Sequence, residues 1–395
     1  MRKRRMLMVL LAVSWLIGSA WAIDNKGITF EQPAADCFTL IEGGKATPIL
    51  LDEKDDVGIV IAAKNLQDDF RKVTGRQAEL LHSVRGPRLI VAGSLESRFV
   101  KELVKAKKID ITSLKGKREK YLMKAVSRPF DGVDEAWVIV GSDKRGTIYG
   151  IYELSEQIGV SPWYDWADVP VVQRKNLYIQ RGEYTAGEPA VKYRGIFLND
   201  EAPCLTGWVK HTYGTNYGDH RFYARVFELI LRLRGNFMWP AMWAWSFYAD
   251  DPENSKTAHD MGIIMGTSHH EPMARNHQEW ARKRKQYGVW DYATNQKVLD
   301  RFFREGIERV KDTEDLITIG MRGDGDAPMG GKEGADHEYV NRDEYNMNLL
   351  KKVIKNQRKI IKDVTGRPPM SGLRCGPYIK RYNAFMIWGC AYRMM

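Results

Sequence analysis

The sequence predicts a mixed α/β protein in which a small N-terminal α/β domain precedes the first half of a (β/α)8 TIM-type barrel. Two patterns support this prediction. Between residues 24 and 180, short apolar runs typical of strands alternate with helical patterns. Between residues 185 and 368, predicted strands end in polar or aromatic clusters and helices follow, as in a barrel. Four such strands can be recognised, whereas a closed barrel has eight.

Residues 1–22 predict an export signal. Basic residues at positions 2–5 precede an apolar stretch, and Ala20–Ala22 form a small-x-small cleavage site. About a dozen apolar residues are too few to span a bilayer. We therefore expect a secreted or periplasmic protein that has no membrane contact after cleavage.

The net charge of +11 lies mostly at the two ends of the chain. Four basic residues fall in the signal, and the last 32 residues carry five more and no acid, which leaves +2 for the body. The basic pI is therefore no evidence for a nucleic-acid partner, and we expect none. Four cysteines without a CxxC pair give no zinc or redox motif.

In the N-terminal domain, Val57–Ala62 predict a strand and the next residues a helix that stops at Gly75. Two more strands are predicted at Arg88–Gly93 and Ala136–Gly141, and a helix at Ser142–Ser155. The glycines between residues 141 and 150 lack the spacing of a phosphate loop, so no nucleotide is expected.

The barrel region contains the remaining predicted strands and a strongly amphipathic helix at Phe222–Arg234. The helix is apolar on one face, which should pack against a sheet. The four predicted strands are Tyr193–Leu198, Gly235–Trp243, Met261–Ser268 and Leu316–Met321.

Acidic clusters follow the first and the fourth of these strands. Asn199, Asp200 and Glu201 follow the first, and Asp324 and Asp326 follow the fourth. Each cluster alone is equally typical of a helix N-cap. Two clusters at the ends of different strands favour catalysis, because hydrolysis of a glycosidic bond needs an acid and a base or nucleophile opposite it.

Arg322 lies about one turn before Asp326. Its guanidinium can bind a carboxylate through two parallel hydrogen bonds, which would suit a uronic acid substrate. The alternative is an internal ion pair with Asp324 or Glu201.

Histidines and tryptophans occupy the other strand ends. Adjacent histidines on a strand point in opposite directions, so His269 and His270 do not predict a metal site, and a hydrogen bond to a sugar or a structural role is expected. Indole faces stack on sugar rings, although core packing is the alternative for Trp239 and Trp245. Trp243 follows Pro240 at the rim and is predicted to bind sugar.

Four motifs together resemble glycoside hydrolase family 115, the xylan α-1,2-glucuronidases. The resemblance covers about residues 24–368. It implies a secreted inverting hydrolase that removes glucuronic acid or 4-O-methylglucuronic acid from glucuronoxylan or its oligosaccharides, without a cofactor. It leaves a homodimer open for full-length members. The motifs are Arg194–Glu201, Gly235–Trp243, Met265–Met273 and Gly320–Asp326.

The resemblance also implies a role for individual residues. Asp326 would be the general acid, and Asp200 and Glu201 are the alternatives for a supporting or basic carboxylate. The implied substrate-binding residues are Asn199, Trp243, His269 and Arg322.

After Pro368 the sequence departs from the family. Residues 369–395 contain no acid, 4 of the 16 methionines and 2 of the 4 cysteines. With suitable codons, reading this stretch two bases along can give a family-like segment with Tyr-Lys-Glu and Pro-Asp-Asp. We therefore expect an out-of-frame tail, an open frame past codon 395 in the gene, and a truncated chain that is inactive.

Two other functions are compatible with the same pattern. The chain as written could be a non-catalytic fragment that binds sugar weakly. A hexosaminidase-like barrel enzyme also has a small α/β domain before its barrel, but it requires an adjacent Asp-Glu pair after the fourth strand, where this chain has Arg322–Asp326. Release of glucuronic acid from glucuronoxylan separates the three.

Overall fold

The structure is a computed structural model that describes residues 27–214, 217–240, 242, 244–326, 329, 342–367 and 391–393. It shows a mixed α/β protein with four sheets. Within the described part, each helix is too short or too polar to cross a bilayer.

The N-terminal region contains ten strands and three helices. The strands are β1 (Thr29–Phe30), β2 (Cys37–Glu42), β3 (Lys45–Ala46), β4 (Ile49–Leu51), β5 (Leu80–Leu81), β6 (Arg88–Ser94), β7 (Tyr121–Ser127), β8 (Glu135–Gly141), β9 (Leu177–Gln180) and β10 (Glu183–Ala186). The helices are α1 (Val57–Thr74), α2 (Arg98–Lys105) and α3 (Lys144–Gln157).

A six-stranded sheet of order β10-β7-β8-β6-β4-β5 organises this region. Strands β5, β4, β6 and β8 are parallel to one another. At one side of the sheet, β7 is antiparallel to β8, and β10 is antiparallel to β7. Helices α1 and α3 share a core with one face of the sheet, and α2 with the other. A smaller antiparallel sheet of order β1-β9-β2-β3 lies beside it.

The prediction of a strand at Val57–Ala62 is wrong, because these residues begin α1. The side chain of Asp56 accepts a hydrogen bond from Gly58 N and caps the helix. Buried Ile59, Ala62 and Leu66 recur at helical spacing, so packing of one face outweighs the strand preference of the β-branched residues. The other predicted strands and the helix end at Gly75 are confirmed.

The second region contains the remaining elements. Its strands are β11 (Gly195–Leu198), β12 (Phe237–Pro240), β13 (Ile264–Met265), β14 (Leu316–Thr318) and β15 (Ala391–Arg393). Its helices are α4 (Cys204–Tyr213), α5 (His220–Arg232), α6 (Phe247–Asp250), α7 (Glu253–Met261), α8 (His277–Arg282), α9 (Arg284–Tyr287), α10 (Gln296–Val310) and α11 (Arg342–Thr365).

Strands β11, β12 and β13 form a parallel sheet in chain order. A parallel bridge between Gly266 and Leu316 places β14 next to β13. Strand β11 approaches β12 closely at Gly195. A Cβ at this position would lie 1.6 Å from the Phe237 carbonyl oxygen, so the approach requires glycine. A strand lies within each of the four segments predicted for this region, and each is shorter than predicted within the described residues. Met261, predicted to begin the third strand, ends α7 instead. Strand β15 pairs antiparallel with β14.

One continuous apolar core joins the two regions. It contains Phe38 and Phe70 from the N-terminal region together with Phe227 and Met238 from the second. Polar contacts also cross the boundary, since Tyr149 Oη donates to Gly235 O at 2.9 Å. The orientation of the parallel sheet is therefore fixed by packing against the N-terminal region.

Asp315 is a buried carboxylate at the amino end of β14, the end opposite the predicted site. It accepts hydrogen bonds from Tyr248 Oη at 3.0 Å and Met265 N at 3.2 Å. Burial raises its pKa to about 7, although both hydrogen bonds act in the opposite direction. At this end of a parallel sheet, such a residue contributes to stability rather than to catalysis.

We expect Asp315→Asn to flatten the pH dependence of stability. The folded state binds the Asp315 proton more tightly than the unfolded chain, so this carboxyl stabilises the protein below about pH 4 and loses that contribution as pH rises through about 7. The full difference is up to about 4 kcal/mol. Urea midpoints at pH 5 and pH 8 measure it, with exposed Asp312→Asn as the control. Equal pH slopes in wild type and Asp315→Asn would contradict the assignment.

Candidate active site at the carboxyl ends of the parallel strands

The predicted site residues follow strands that run parallel, so they lie at one edge of the sheet. The segment 199–201 follows β11, and the segment 319–326 follows β14. Residues 266–271 follow β13 between them. The two acidic clusters therefore share an edge, as the sequence predicts.

Asp200 is buried, with 4% exposure, and connects two strand ends. Its Oδ2 accepts a hydrogen bond from Ala244 N at 3.2 Å, in the loop after β12. Its negative charge also acts on two buried tyrosines: burial raises the pKa of Tyr217 and of Tyr223, and the Asp200 carboxylate raises both further. Asp200 is thus an ordered acid at the sheet edge.

Glu201, in contrast, is exposed. Its carboxylate accepts a hydrogen bond from Asn199 Nδ2. The sequence leaves Asp200 and Glu201 as alternatives for the supporting carboxylate, and burial now separates them. Asp200 is held by the backbone of a neighbouring loop, whereas Glu201 is hydrogen-bonded to the half-buried side-chain amide of Asn199, two residues away.

His269 and His270 do not point in opposite directions. They lie in a turn after β13, and their ring centroids are 4.3 Å apart. The expectation based on strand geometry is therefore wrong, because the strand ends at Met265. Glu271 is buried and closes the turn, accepting a 2.7 Å hydrogen bond from Ser268 N.

No cluster of three metal-ligating side chains forms within the described residues. The Glu271 carboxylate is engaged by the backbone and hydroxyl of Ser268, so its geometry is that of a turn-closing residue. His269 and His270 are half-buried beside it. An imidazole nitrogen can donate or accept a hydrogen bond, and this is the chemistry that binding of a sugar hydroxyl at this edge requires.

Arg322 is half-buried in the loop that follows β14. Its carbonyl oxygen accepts a hydrogen bond from Trp290 Nε1 at 2.9 Å. The alternative partner considered for Arg322, Asp324, forms an ion pair with Arg284 at 2.6 Å. Asp324 Oδ1 also lies 2.8 Å from His277 Nε2.

Asp326 ends a short 3-10 turn, Asp324–Asp326, in which Gly325 has a positive φ of 62°. Glycine adopts this conformation without strain, which lets the chain turn sharply. The side chain of Asp326 and the whole of Trp243 lie outside the described residues.

The two other tryptophans of this region have different surroundings. Trp239 lies in β12, is half-buried and contacts the exposed ring of Phe197 edge-on, with ring centroids 5.3 Å apart. Trp245 packs against the main core. Core packing, the alternative to sugar binding, therefore accounts for Trp245.

Three residues near this loop were not predicted from the sequence: His277, Arg284 and Trp290. They belong to the segment 277–290, which shows no motif and follows β13 rather than β14. Their contact with the loop is visible only in the folded chain, and composition or spacing gives no signal for it.

Comparison with known proteins identifies relatives with this arrangement. A family model described as glycosyl hydrolase family 115 matches residues 186–375. The chain is similar to the solved structure of BtGH115A, a family GH115 4-O-methyl-α-glucuronidase with specificity for decorated arabinogalactans. The identity is 31% and the TM-score 0.70, and the match covers 83% of this chain and 41% of that one. The chain thus spans about two fifths of that enzyme.

Other solved structures are much less similar. A Streptomyces plicatus β-hexosaminidase has 11% identity and a TM-score of 0.37, covering 60% of this chain and 43% of that one. A GH20 β-N-acetylhexosaminidase from Streptomyces coelicolor A3(2) has 11% identity and a TM-score of 0.36, covering 63% and 46%. Neither similarity is strong enough to support an argument. No curated protein matches the chain.

The four motifs span four strands that are parallel neighbours and the residues that follow them. Taken with the matched family model and the 31% identical structure, they show that this chain belongs to glycosyl hydrolase family 115.

Proposed function

We propose that the chain carries the first half of the active site of an exported, inverting α-glucuronidase. Its substrate would be glucuronoxylan or its oligosaccharides, from which it removes α-1,2-linked glucuronic acid or 4-O-methylglucuronic acid. One observation carries the proposal: β11, β12, β13 and β14 follow one another in parallel, so Asp200 and the loop with Arg322 and Asp326 share one sheet edge. This order also supports a half-barrel.

The proposed chemistry assigns the reaction to charged side chains and the binding of the sugar to the other predicted site residues. Arg322 holds the uronate carboxylate, because its planar fork matches two carboxylate oxygens. Asp326 gives its proton to the leaving xylose oxygen, and Asp200 supports the site as a buried anion. Asn199, Trp243 and His269 would contact sugar hydroxyls or ring faces.

Inversion needs a second carboxylate about 6.5 to 9.5 Å from the acid, with a water between them. The family resemblance implies that this group lies on a fifth strand after Pro368, where we expect the chain to be out of frame. We therefore propose that the chain as written is inactive. A protein in which the codons from residue 369 onward are read in the restored frame, called the frame-restored protein below, is proposed to be active. If a stop follows soon after codon 395 in every frame, this proposal is rejected.

The substrate is tested with two polymers. BtGH115A acts on decorated arabinogalactans, so the frame-restored protein should be incubated with glucuronoxylan oligosaccharides and with glucuronic-acid-bearing arabinogalactan. We expect release of glucuronic acid from the xylan substrate at least tenfold faster. Faster release from arabinogalactan would support the glucuronidase activity but contradict xylan as the preferred substrate. No release from either would support the fragment alternative.

Arg322→Lys should lower kcat/KM by about 30- to 1000-fold, since about 2 to 4 kcal/mol of transition-state binding depends on the bidentate fork. Initial rates on an aldouronic oligosaccharide measure the loss in the frame-restored protein. The same substitution at exposed Arg301 is the matched control. A loss of stability with unchanged kcat/KM would make Arg322 an internal ion-pair partner instead.

A further inference from the structure

The loop 320–326 carries both Arg322 and Asp326, yet it contains three glycines. Gly320 and Gly325 have positive φ values of 124° and 62°. Glycine has more backbone conformations to lose than any other residue, so this loop needs external contacts to hold one geometry. At its start, Gln357 of α11 accepts a hydrogen bond from Gly320 N at 2.7 Å and donates one to Gly320 O at 2.8 Å. The part that carries Arg322 and Asp324 is contacted by the segment 277–290.

The first contact is an ion pair with two parallel hydrogen bonds. Arg284 Nη1 donates to Asp324 Oδ2 at 2.6 Å, and Arg284 Nη2 donates to Asp324 Oδ1 at 2.8 Å. This fork geometry fixes direction as well as distance. His277 Nε2 lies 2.8 Å from the same Oδ1. The hydrogen bonds from Arg284 lower the pKa of Asp324, with the nearby His277 in support, so the carboxylate stays charged in mildly acidic solution.

The second contact holds the backbone of the loop. Trp290 Nε1 donates to the carbonyl oxygen of Arg322 at 2.9 Å. Trp290 itself is buried and rigid, because it packs edge-on against Trp280, Phe302 and His277. The loop is thus attached to the apolar core on one side of Gly323 and to Arg284 on the other.

We propose that these three side chains are positioning residues for the loop 320–326. Trp290 holds the backbone of the uronate clamp, Arg322. Arg284 and His277 hold Asp324 and thereby the turn that carries the acid, Asp326. The proposal rests on the proposed glucuronidase function. Arg284 and Asp324 are 47% and 43% exposed, so their pair contributes little to global stability. Its effect is local, on the loop two residues before Asp326.

The anchoring is tested without any assay of activity. Hydrogen exchange of the peptide covering residues 320–326 should become at least threefold faster in Arg284→Met and in Trp290→Phe. Lys285→Met, which removes a positive charge from the adjacent exposed position, should leave it unchanged. Unchanged exchange in Arg284→Met would overturn the proposal. Faster exchange in a protein that releases no glucuronic acid supports the anchoring and contradicts only the proposed function.

Activity of the frame-restored protein separates positioning of the acid from a general structural role. On an aldouronic oligosaccharide, Arg284→Met should lower kcat at least tenfold and change KM less than threefold. On α-glucuronosyl fluoride, whose leaving group needs little protonation, the loss should stay below threefold. Arg284→Lys should recover part of the kcat. Equal losses on both substrates would overturn the positioning role.

Discussion

Arg232→Ala is expected to lower the free energy of unfolding by about 3 kcal/mol, because it removes one of the two cations that pair with buried Asp69 and leaves Lys72 at 3.0 Å. Arg232 Nη2 lies 2.8 Å from Asp69 Oδ2, and Arg232 Nε donates to Glu228 Oε1 at 2.9 Å. The side chains of Arg232 and Asp69 are 2% and 0% exposed. The charge pair is therefore almost completely removed from water.

The position of Arg232 makes the effect large. Helix α5 belongs to the second region and Asp69 to α1 of the first, so the pair joins the two. The guanidinium also lies over the rings of Tyr152 and Tyr164, at 4.6 and 5.1 Å from their centroids. Loss of the side chain removes the ion pair, the cation–π contacts and part of the packing together.

Urea unfolding followed by circular dichroism measures the change. Arg71→Ala is the matched control, because Arg71 pairs with Asp68 on the same helix at 54% and 39% exposure and should cost at most about 1 kcal/mol. Equal destabilisation by Arg232→Ala and Arg71→Ala would contradict the prediction, because the buried ion pair would then stabilise the protein no more than the exposed one.

Asp326→Asn is expected to reduce kcat of the frame-restored protein by about 100- to 10 000-fold, the range typical of a lost general acid. Asparagine keeps the size of the side chain but has no proton to give to the leaving oxygen. Affinity for glucuronic acid should change less than about threefold, because the Arg322 clamp is intact.

Rates on an aldouronic oligosaccharide and titration calorimetry with glucuronic acid measure the two quantities. The same substitution at exposed Asp131, in the N-terminal region, is the control. Normal turnover by Asp326→Asn would assign the proton transfer to another group.

Much of the architecture could be predicted from local pattern. Apolar runs such as Arg88–Gly93 and Leu316–Met321 are short and bounded by polar residues, and the structure places strands there. The β-branched residues of Val57–Ala62 favour a strand, but Ile59, Ala62 and Leu66 recur at helical spacing and are buried on one face of α1.

The candidate site was predictable where residues follow strand ends directly, as Asp200 does. Its supporting contacts were not. Arg284 and Asp324 are 40 residues apart, and Asp69 and Arg232 are 163 apart. Such pairs depend on the packing of separate elements, and nothing in the local sequence around either partner specifies the other. The paired geometry of His269 and His270 likewise required knowledge of where β13 ends.

We propose that the edge formed by β11 to β14 belongs to an inverting glucuronidase. Proton NMR during hydrolysis of an aldouronic oligosaccharide by the frame-restored protein tests this proposal, because inversion fixes the anomer that is released first. We expect β-glucuronic acid as the first signal, with the α-anomer appearing later through mutarotation. Initial release of the α-anomer, or no release of glucuronic acid at all, would contradict it.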